Sequence, residues 1–387
     1  MTAVLVTLVI IAVVMGAIQV TCMYLILVER KVAAWVQDRY GPNRVGPWGL
    51  LQPLADGGKL LLKEQVVPAH VNKVLYFVAP AIAALTTTLA FAVVPFGPVA
   101  PGPVDPEAFR FIIAPNIDIG ILFLFAVTSL AVYAVILGGW ASNNKYSLLG
   151  GLRSSAQVIS YEIPLGLSVL GVILLAGSLD LTTIVHRQMA QGWYILYQPL
   201  AFLLFLVSAM AEANRLPFDL PEAEQELVAG YHTEYSAIKF VFFFLGEYTH
   251  VITISFLMAL LFFGGWHFPW IAEADSAYPG AAVVKFLVLL AKVTFFIVFI
   301  VLIRWTLPRF RFDQLMTLAW KVLIPLALVN FLGVMTVKQF DLSPWWLLPA
   351  SVLLFVGAGW LNLTGAPAPR VEARPLPDIY APLPERR

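Results

Sequence analysis

The first 28 residues, Met1 to Val28, carry no charged side chain. As a helix rising ~1.5 Å per residue they would reach about 42 Å, longer than the ~30 Å hydrocarbon layer of a bilayer. They contain no basic leader region and no small-residue cleavage site. Residues 2–28 are therefore expected to remain as a membrane anchor, with a cleaved signal peptide as the alternative. Comparable apolar runs follow at 74–95, 117–138, 158–178, 193–213, 236–266, 284–306, 321–338 and 345–363. Charged residues make up 12% of the 387, about half the ~25% of an ordinary soluble domain.

These runs predict an all-α integral membrane protein of nine transmembrane helices, with one polytopic domain over 1–363 and a Pro-rich tail over 364–387. No β-barrel alternation or internal repeat is visible. Trp345, Trp346 and Trp360 flank the ninth run as interfacial anchors do. Lys and Arg set the orientation. The loops after helices 1, 3, 5 and 7 hold fourteen of them, counting Arg304 and Lys321 at helix ends. The loops after helices 2, 4, 6 and 8 hold three: Arg110, Arg187 and Lys338. The positive-inside bias then places the odd loops in the cytoplasm, the N-terminus outside and the tail in the cytoplasm. Six prolines among its last 24 residues predict an extended tail.

Against that basic side stands an acidic stretch. From Glu212 to Glu234 there are six carboxylates (Glu212, Asp219, Glu222, Glu224, Glu226 and Glu234) and one Arg, Arg215. Asp219-Leu-Pro-Glu222 reads as a helix start, with Asp219 as N-cap. A solvated acidic loop is the alternative for the remainder. In the first loop, Pro42, Pro47 and the glycines Gly41, Gly46, Gly49 and Gly57 make turns. After Pro53, Leu54, Ala55, Leu61 and Leu62 can share one face of an interfacial helix, with Asp56, Lys59 and Lys63 on the other.

Two charges fall deep in apolar runs. Glu247 lies about 16 Å into the sixth helix by helical rise, and Lys292 about 18 Å before Arg304 in the seventh. A charge at such depth costs at least roughly 2.5–3.5 kcal/mol and is expected to face protein or water. Matched depth on consecutive helices predicts that Glu247 and Lys292 approach each other directly or through water, separate polar partners being the alternative. Glu162, a few residues inside the fourth helix, is expected within reach of surface water.

The chain has little redox equipment of its own. One cysteine, Cys22, cannot ligate an iron–sulfur cluster, which takes about four ligands. The five histidines form no metal-site pattern. A net charge of +1 implies no nucleic-acid partner.

Four stretches together are similar to one family. LVERKVAAWVQDRYGPNRVGPWGLLQPLADGGKLLLKE (27–64), GWASNNKYSLLGGLRSSAQVISYE (139–162), EANRLPFDLPEAEQELVAGYHTEY (212–235) and RWTLPRFRFDQLM (304–316) resemble the signature loops of one membrane component of bacterial NADH:quinone oxidoreductase, respiratory complex I. That component is the H-type subunit, whose mitochondrial counterpart is NADH dehydrogenase subunit 1. The resemblance runs in order from about residue 20 to 335. The ninth helix and tail depart from the family's commoner eight-helix pattern, so nothing functional is carried past Lys338. The resemblance implies an inner-membrane (plasma-membrane) component where the membrane arm meets the hydrophilic redox arm. Quinone is then the substrate, entering a chamber that this chain partly walls, and FMN and iron–sulfur clusters lie in partner subunits. The implied partners are the hydrophilic quinone-site and iron–sulfur subunits, the small membrane subunits and lipid. By motif, Arg30, Arg39, Asp56, Arg215, Asp219, Glu222, Glu224 and Glu226 fall in the quinone-chamber and coupling loops. Glu29, Glu162, Glu212, Glu234 and Glu247 fall to proton coupling, and the depth of Lys292 adds it to that set.

Desolvation can raise a buried carboxyl pKa by up to ~3–5 units, which would let such groups exchange protons near neutral pH. A secondary transporter also places carboxylates and a Lys at midplane, and a membrane-bound hydrogenase or a purely structural anchor are further alternatives.

Overall fold

Peptide groups in an apolar layer must satisfy one another, and each of these apolar runs does so as helix. The computed structural model describes residues 2–100, 110–220, 229–273 and 280–364. In chain order its helices are α1 (Thr2–Val36), α2 (Gln52–Leu62), α3 (Lys73–Leu89), α4 (Gly120–Ser129), α5 (Ala131–Ala141), α6 (Lys145–Ala176), α7 (Leu181–Gln191) and α8 (Tyr194–Tyr197). They continue with α9 (Pro199–Glu212), α10 (Ala237–Phe262), α11 (Ala281–Thr306), α12 (Phe312–Thr317), α13 (Ile324–Gln339) and α14 (Leu347–Thr364). Among the described residues the only β pairing is an isolated bridge between Phe268 and Ala272.

Among the described residues, seven segments are long and apolar enough to cross a membrane: Val4–Val36, Lys73–Ala92, Gly120–Ala141, Lys145–Ala176, Ala237–Phe262, Ala281–Thr306 and Phe312–Gln339. With this many apolar helices the chain is a multi-pass membrane protein, as its composition predicts. The two other expected runs form shorter apolar helices, Pro199–Glu212 and Pro344–Trp360. The first is cut short because Pro199 has no N–H to donate, so the chain leaves α8 at Gln198 and restarts. The expected tail, 365–387, lies outside the described residues, as do Glu222, Glu224 and Glu226.

Two helices overrun their apolar runs. α1 continues to Val36 rather than stopping near 28, which puts Glu29 inside a helix instead of in a loop. α6 starts at Lys145, capped by the Asn144 side chain, rather than at 158. Glu162 is therefore in the middle of a 32-residue helix, not near its start. The polar stretch Ser154-Ser155-Ala156-Gln157 reads as loop in isolation, but it is helical and mostly buried against protein. At its far end, Gly177 at φ 67° terminates α6 in the left-handed conformation that helix C-termini commonly take.

α6 is the central post, packed by α5, α9 and α13, while α10 packs on α3, α11 and α1. Close approach needs small residues at the crossings. A Cβ on Gly139 of α5 would lie 2.7 Å from the Ser147 carbonyl oxygen of α6, and one on Gly150 would lie 2.7 Å from Gly230 Cα. The first draws α5 onto α6, and the second holds the turn Gly230–His232 against α6, directly before α10.

Gly150→Leu should therefore cost about 1–3 kcal/mol, because the clash is with backbone that cannot rotate away. Gly166→Leu, with nothing within 4 Å of its Cβ position, serves as the control. Thermal unfolding of the two full-length variants in detergent should show the first lowered and the second near wild type.

Candidate functional site

The acidic stretch begins as a buried turn. After α9 ends at Glu212, residues 213–220 are buried almost throughout, although they include Asn214, Arg215 and Asp219. Gln157 of α6 holds this segment, its side-chain amide donating to the carbonyls of Ala211 (2.8 Å) and Phe218 (2.7 Å). Phe218 sits between the rings of Tyr161 and Phe310, and the Phe310 N–H donates to the Pro217 carbonyl. Asp219 faces Arg309 at 3.3 Å. Its expected role as an N-cap would act on residues outside the described ones; the carboxylate of Asp219 is instead seen paired with a cation from the loop after α11.

So anchored, Arg215 points into the bundle and organises two branches of charge. Its guanidinium lies 4.1 Å from the Tyr248 ring centroid, and the Tyr248 hydroxyl donates to Glu29 at 2.5 Å. Glu29 also accepts from Arg304 of α11. On the other branch, Arg215 is 3.9 Å from Glu247, whose other oxygen accepts from the Tyr231 hydroxyl at 3.2 Å. Helix geometry produces the split. Tyr248 is ~100° round α10 from Glu247, so adjacent residues serve opposite branches, while His250, three positions on, shares the Glu247 face.

That face borders a cavity of about 60 Å³ between α3, α4, α5, α6, α9 and α10, room for a few waters. Glu212, Glu247, His250, Asn214, Tyr231 and Thr128 line it. His250 Nε2 lies 3.5 Å from Glu212, and both side chains are at most 10% exposed. Glu162 is close enough to Glu212 for their charges to interact, and it accepts a hydrogen bond from Ser129. A row of ionisable groups thus runs from Arg304 and Glu29 through Arg215 and Glu247 to His250, Glu212 and Glu162. Burial pushes the nearby His232 ring down to about 3, so it stays neutral at physiological pH.

Of the expected residues that it describes, the structure brings together Glu29, Arg215, Glu162, Glu212 and Glu247 and sets Arg30, Arg39, Asp56, Glu234 and Lys292 apart. Arg30 and Asp56 form an exposed pair at 2.7 Å between α1 and α2, and Arg39 is exposed, donating to Gln37. α2, which carries Asp56, forms as expected, with Leu54, Leu61 and Leu62 exposed. Glu234 accepts from Asn144 at 2.9 Å and lies 3.8 Å from His70, apart from the cavity.

The Glu247–Lys292 pair does not form. Lys292 donates to the carbonyls of Phe263 (2.6 Å), Gly265 (2.9 Å) and His267 (2.6 Å), past the C-terminal end of α10, and lies 4.6 Å from the Trp193 ring centroid. Cations favour helix C-termini, where carbonyls lack helical donors. Matched depth does not bring the two charges together because α10 and α11 are not level at their ends. Arg304 shares a pocket with Tyr248, in the middle of α10, so Lys292 twelve residues earlier falls at the far end of that helix.

Tyr231, Tyr248, His250 and Ser129 are site residues that the sequence does not single out. A signal is present for one: an ionisable His250 in an apolar run, one turn from Glu247, warrants the same reading as Glu247 itself. The tyrosines and serine carry no such mark.

Removing one member of a buried ion pair costs about 3–5 kcal/mol, because the partner is left desolvated. Arg304→Met is expected to destabilise the full-length chain toward the lower part of that range, since Arg215 and Tyr248 still face Glu29. Adding Glu29→Gln should restore much of the loss, which a double-mutant cycle of thermal unfolding will read directly.

Comparison with known proteins extends over this whole region. The family model described as NADH dehydrogenase matches residues 8–335. The chain is 52% identical over 310 residues to an H-type subunit of the NADH-quinone oxidoreductase of Geobacter metallireducens, covering 80% of this chain and 89% of that protein. It is 47% identical over 327 residues to NADH-quinone oxidoreductase subunit 8 of Rhodothermus marinus, covering 82% and 92%. With the H-type subunit of the Deinococcus deserti enzyme the identity is 49% over 345 residues, covering 88% and 85%. The chain therefore belongs to the NADH dehydrogenase family, among the H-type subunits of NADH-quinone oxidoreductase.

Proposed function

We propose that this chain forms part of the quinone-binding chamber of a proton-translocating NADH:quinone oxidoreductase, and part of the carboxylate path that couples quinone reduction to proton movement. The observation that carries the reading is the row of ionisable groups that runs from Glu29 and Arg215 to Glu247, and across a water-sized cavity to His250, Glu212 and the half-buried Glu162. Such a row has no use in a passive anchor, where each buried charge is a cost. The chain crosses the inner membrane nine times in this reading, with its N-terminus outside and its loops after crossings 1, 3, 5 and 7 in the cytoplasm. The two shorter helices, α9 and α14, then cross with help from the segments beside them.

Quinone, the substrate, approaches along α2, whose exposed leucines face lipid, past Arg30, Asp56 and Arg39. FMN and iron–sulfur clusters in partner subunits supply the electrons. Reduction to quinol takes up two electrons and two protons at the head group. This chain's part is to answer the change of charge. Arg215 sits between Glu29 and Glu247, so a charge altered at the segment 215–220 shifts the balance between its two carboxylate partners. A proton lost or gained by Glu247 can pass through cavity water to His250, Glu212 and Glu162. Glu222, Glu224 and Glu226 belong to the same coupling loop, where partner subunits dock. Glu234, held by Asn144, stands at the cytoplasmic margin. Lys292, bound to three carbonyls, secures the far end of α10.

The test separates electron entry from coupling. Glu212→Gln in the assembled enzyme should lower NADH-driven quinone reduction by on the order of tenfold or more. NADH oxidation by a water-soluble artificial acceptor should stay near wild type, because that electron path lies outside this chain. Equal loss of both activities in a normally assembled enzyme overturns the reading.

A further inference from the structure

A second cavity lies apart from the carboxylate row. It measures about 140 Å³ and opens where the C-terminal ends of α6 and α7, the short α8 and the turn from α13 into α14 meet. Tyr194, Tyr197, Gln191, Leu175, Lys338 and Asp341 are among its walls. Tyr197 has used its hydroxyl as a donor to the Gln191 carbonyl. Tyr194 has not: its side chain is 1% exposed, and its hydroxyl has no hydrogen-bond partner among the described residues. A buried polar atom in that condition is uncommon and asks for a ligand or water. Lys338 and Asp341 bring opposite charges to the same cavity, three positions apart, and among the described residues neither has an ion-pair partner within 4 Å.

The setting narrows the ligand. Phe340, Trp345 and Trp346, next in the chain to the lining residues Asp341 and Pro344, are 70%, 55% and 63% exposed, and Trp345 packs edge-on against the lining Tyr197 with ring centroids 4.8 Å apart. Exposed tryptophans at the start of an apolar helix mark the membrane–water interface. An apolar mouth at that level suits an amphiphile better than a water-soluble molecule. The cavity is also smaller than the ~300–1,000 Å³ of sites that enclose a drug-sized ligand, as expected where only the polar end of a larger molecule enters. A pure anion would meet Asp341, and a pure cation would meet Lys338. A zwitterion satisfies both.

We propose that this cavity holds the headgroup of a phosphatidylethanolamine-type phospholipid. Its phosphate accepts from the Lys338 ammonium and the Tyr194 hydroxyl, its own ammonium donates to Asp341, and its acyl chains run past Trp345 and Phe340. Lys338 and Asp341 follow residue 335, where the family match ends. The lipid therefore belongs to the segment that carries the chain into α14, and it fills the joint between that helix and the rest of the bundle.

The test uses the assembled enzyme in nanodiscs doped with phosphatidylethanolamine bearing a photoreactive group on its first acyl carbons. Crosslinks should concentrate on peptides covering 189–197 and 337–346. Lys338→Gln and Asp341→Asn, both at exposed positions, should each reduce that labelling by about tenfold, the loss of one charge-assisted contact. Tyr194→Phe, which removes only the hydroxyl, should reduce it to a lesser degree. Phosphatidylglycerol with the same chains and photoreactive group should label these peptides weakly, and excess soluble phosphoethanolamine should not compete. Labelling insensitive to the charge variants overturns the proposal. Equal labelling by phosphatidylglycerol overturns the zwitterionic assignment, and displacement by phosphoethanolamine overturns the lipid one.

Discussion

The structure turns on the cost of placing ionised groups where water is scarce. Glu29, Arg215 and Glu247 are nearly inaccessible, and none would be tolerable alone in an apolar layer. Arg215 resolves much of this by standing between two carboxylates while its planar cation lies against the Tyr248 ring. It can stand there because Gln157 and the rings of Tyr161 and Phe310 hold residues 211–220 inside the bundle. A segment that composition alone would send to solvent becomes the hinge of the interior.

Two long helices then serve as the frame. α6 presents Gln157 and Glu162 about one and a half turns apart, and α10 presents Glu247, Tyr248 and His250 on two faces. Each helix is pinned by polar contacts at its ends: Asn144 caps α6, and Lys292 collects the carbonyls beyond α10. Distances in the row therefore depend on residues well removed from it. The close glycine contact at Gly150 serves the same end, fixing the turn that delivers Tyr231 to Glu247.

Where sequence and structure disagree, they disagree on relative position. Depth along a helix can be counted, but the level of one helix against another cannot. Glu247 and Lys292 have similar depths in their own helices and different heights in the bundle. For Glu29 and Glu162 the difference arises because polarity suggests a helix end. In both cases the polar residues face neighbouring protein, so the helix continues through them. Tyr231 and Tyr248 carry no signal at all, since a tyrosine in an apolar run is as well suited to packing as to donating a hydrogen bond.

What the sequence determined by itself was the class of solution. Long uncharged runs allow only helices across an apolar layer, because every peptide group must be satisfied within its own segment. The loop signatures carried the family, and the presence of Glu212 and Glu247 in or beside apolar runs marked them as groups needing partners. Which partners they have was decided by tertiary structure alone. Arg215 with Glu247, Arg304 with Glu29 and His250 with Glu212 join residues 32, 275 and 38 positions apart. Burial makes a partner obligatory, but its identity depends on which helices are adjacent and at what height. That is set by the packing of many apolar side chains together, and no local pattern records it.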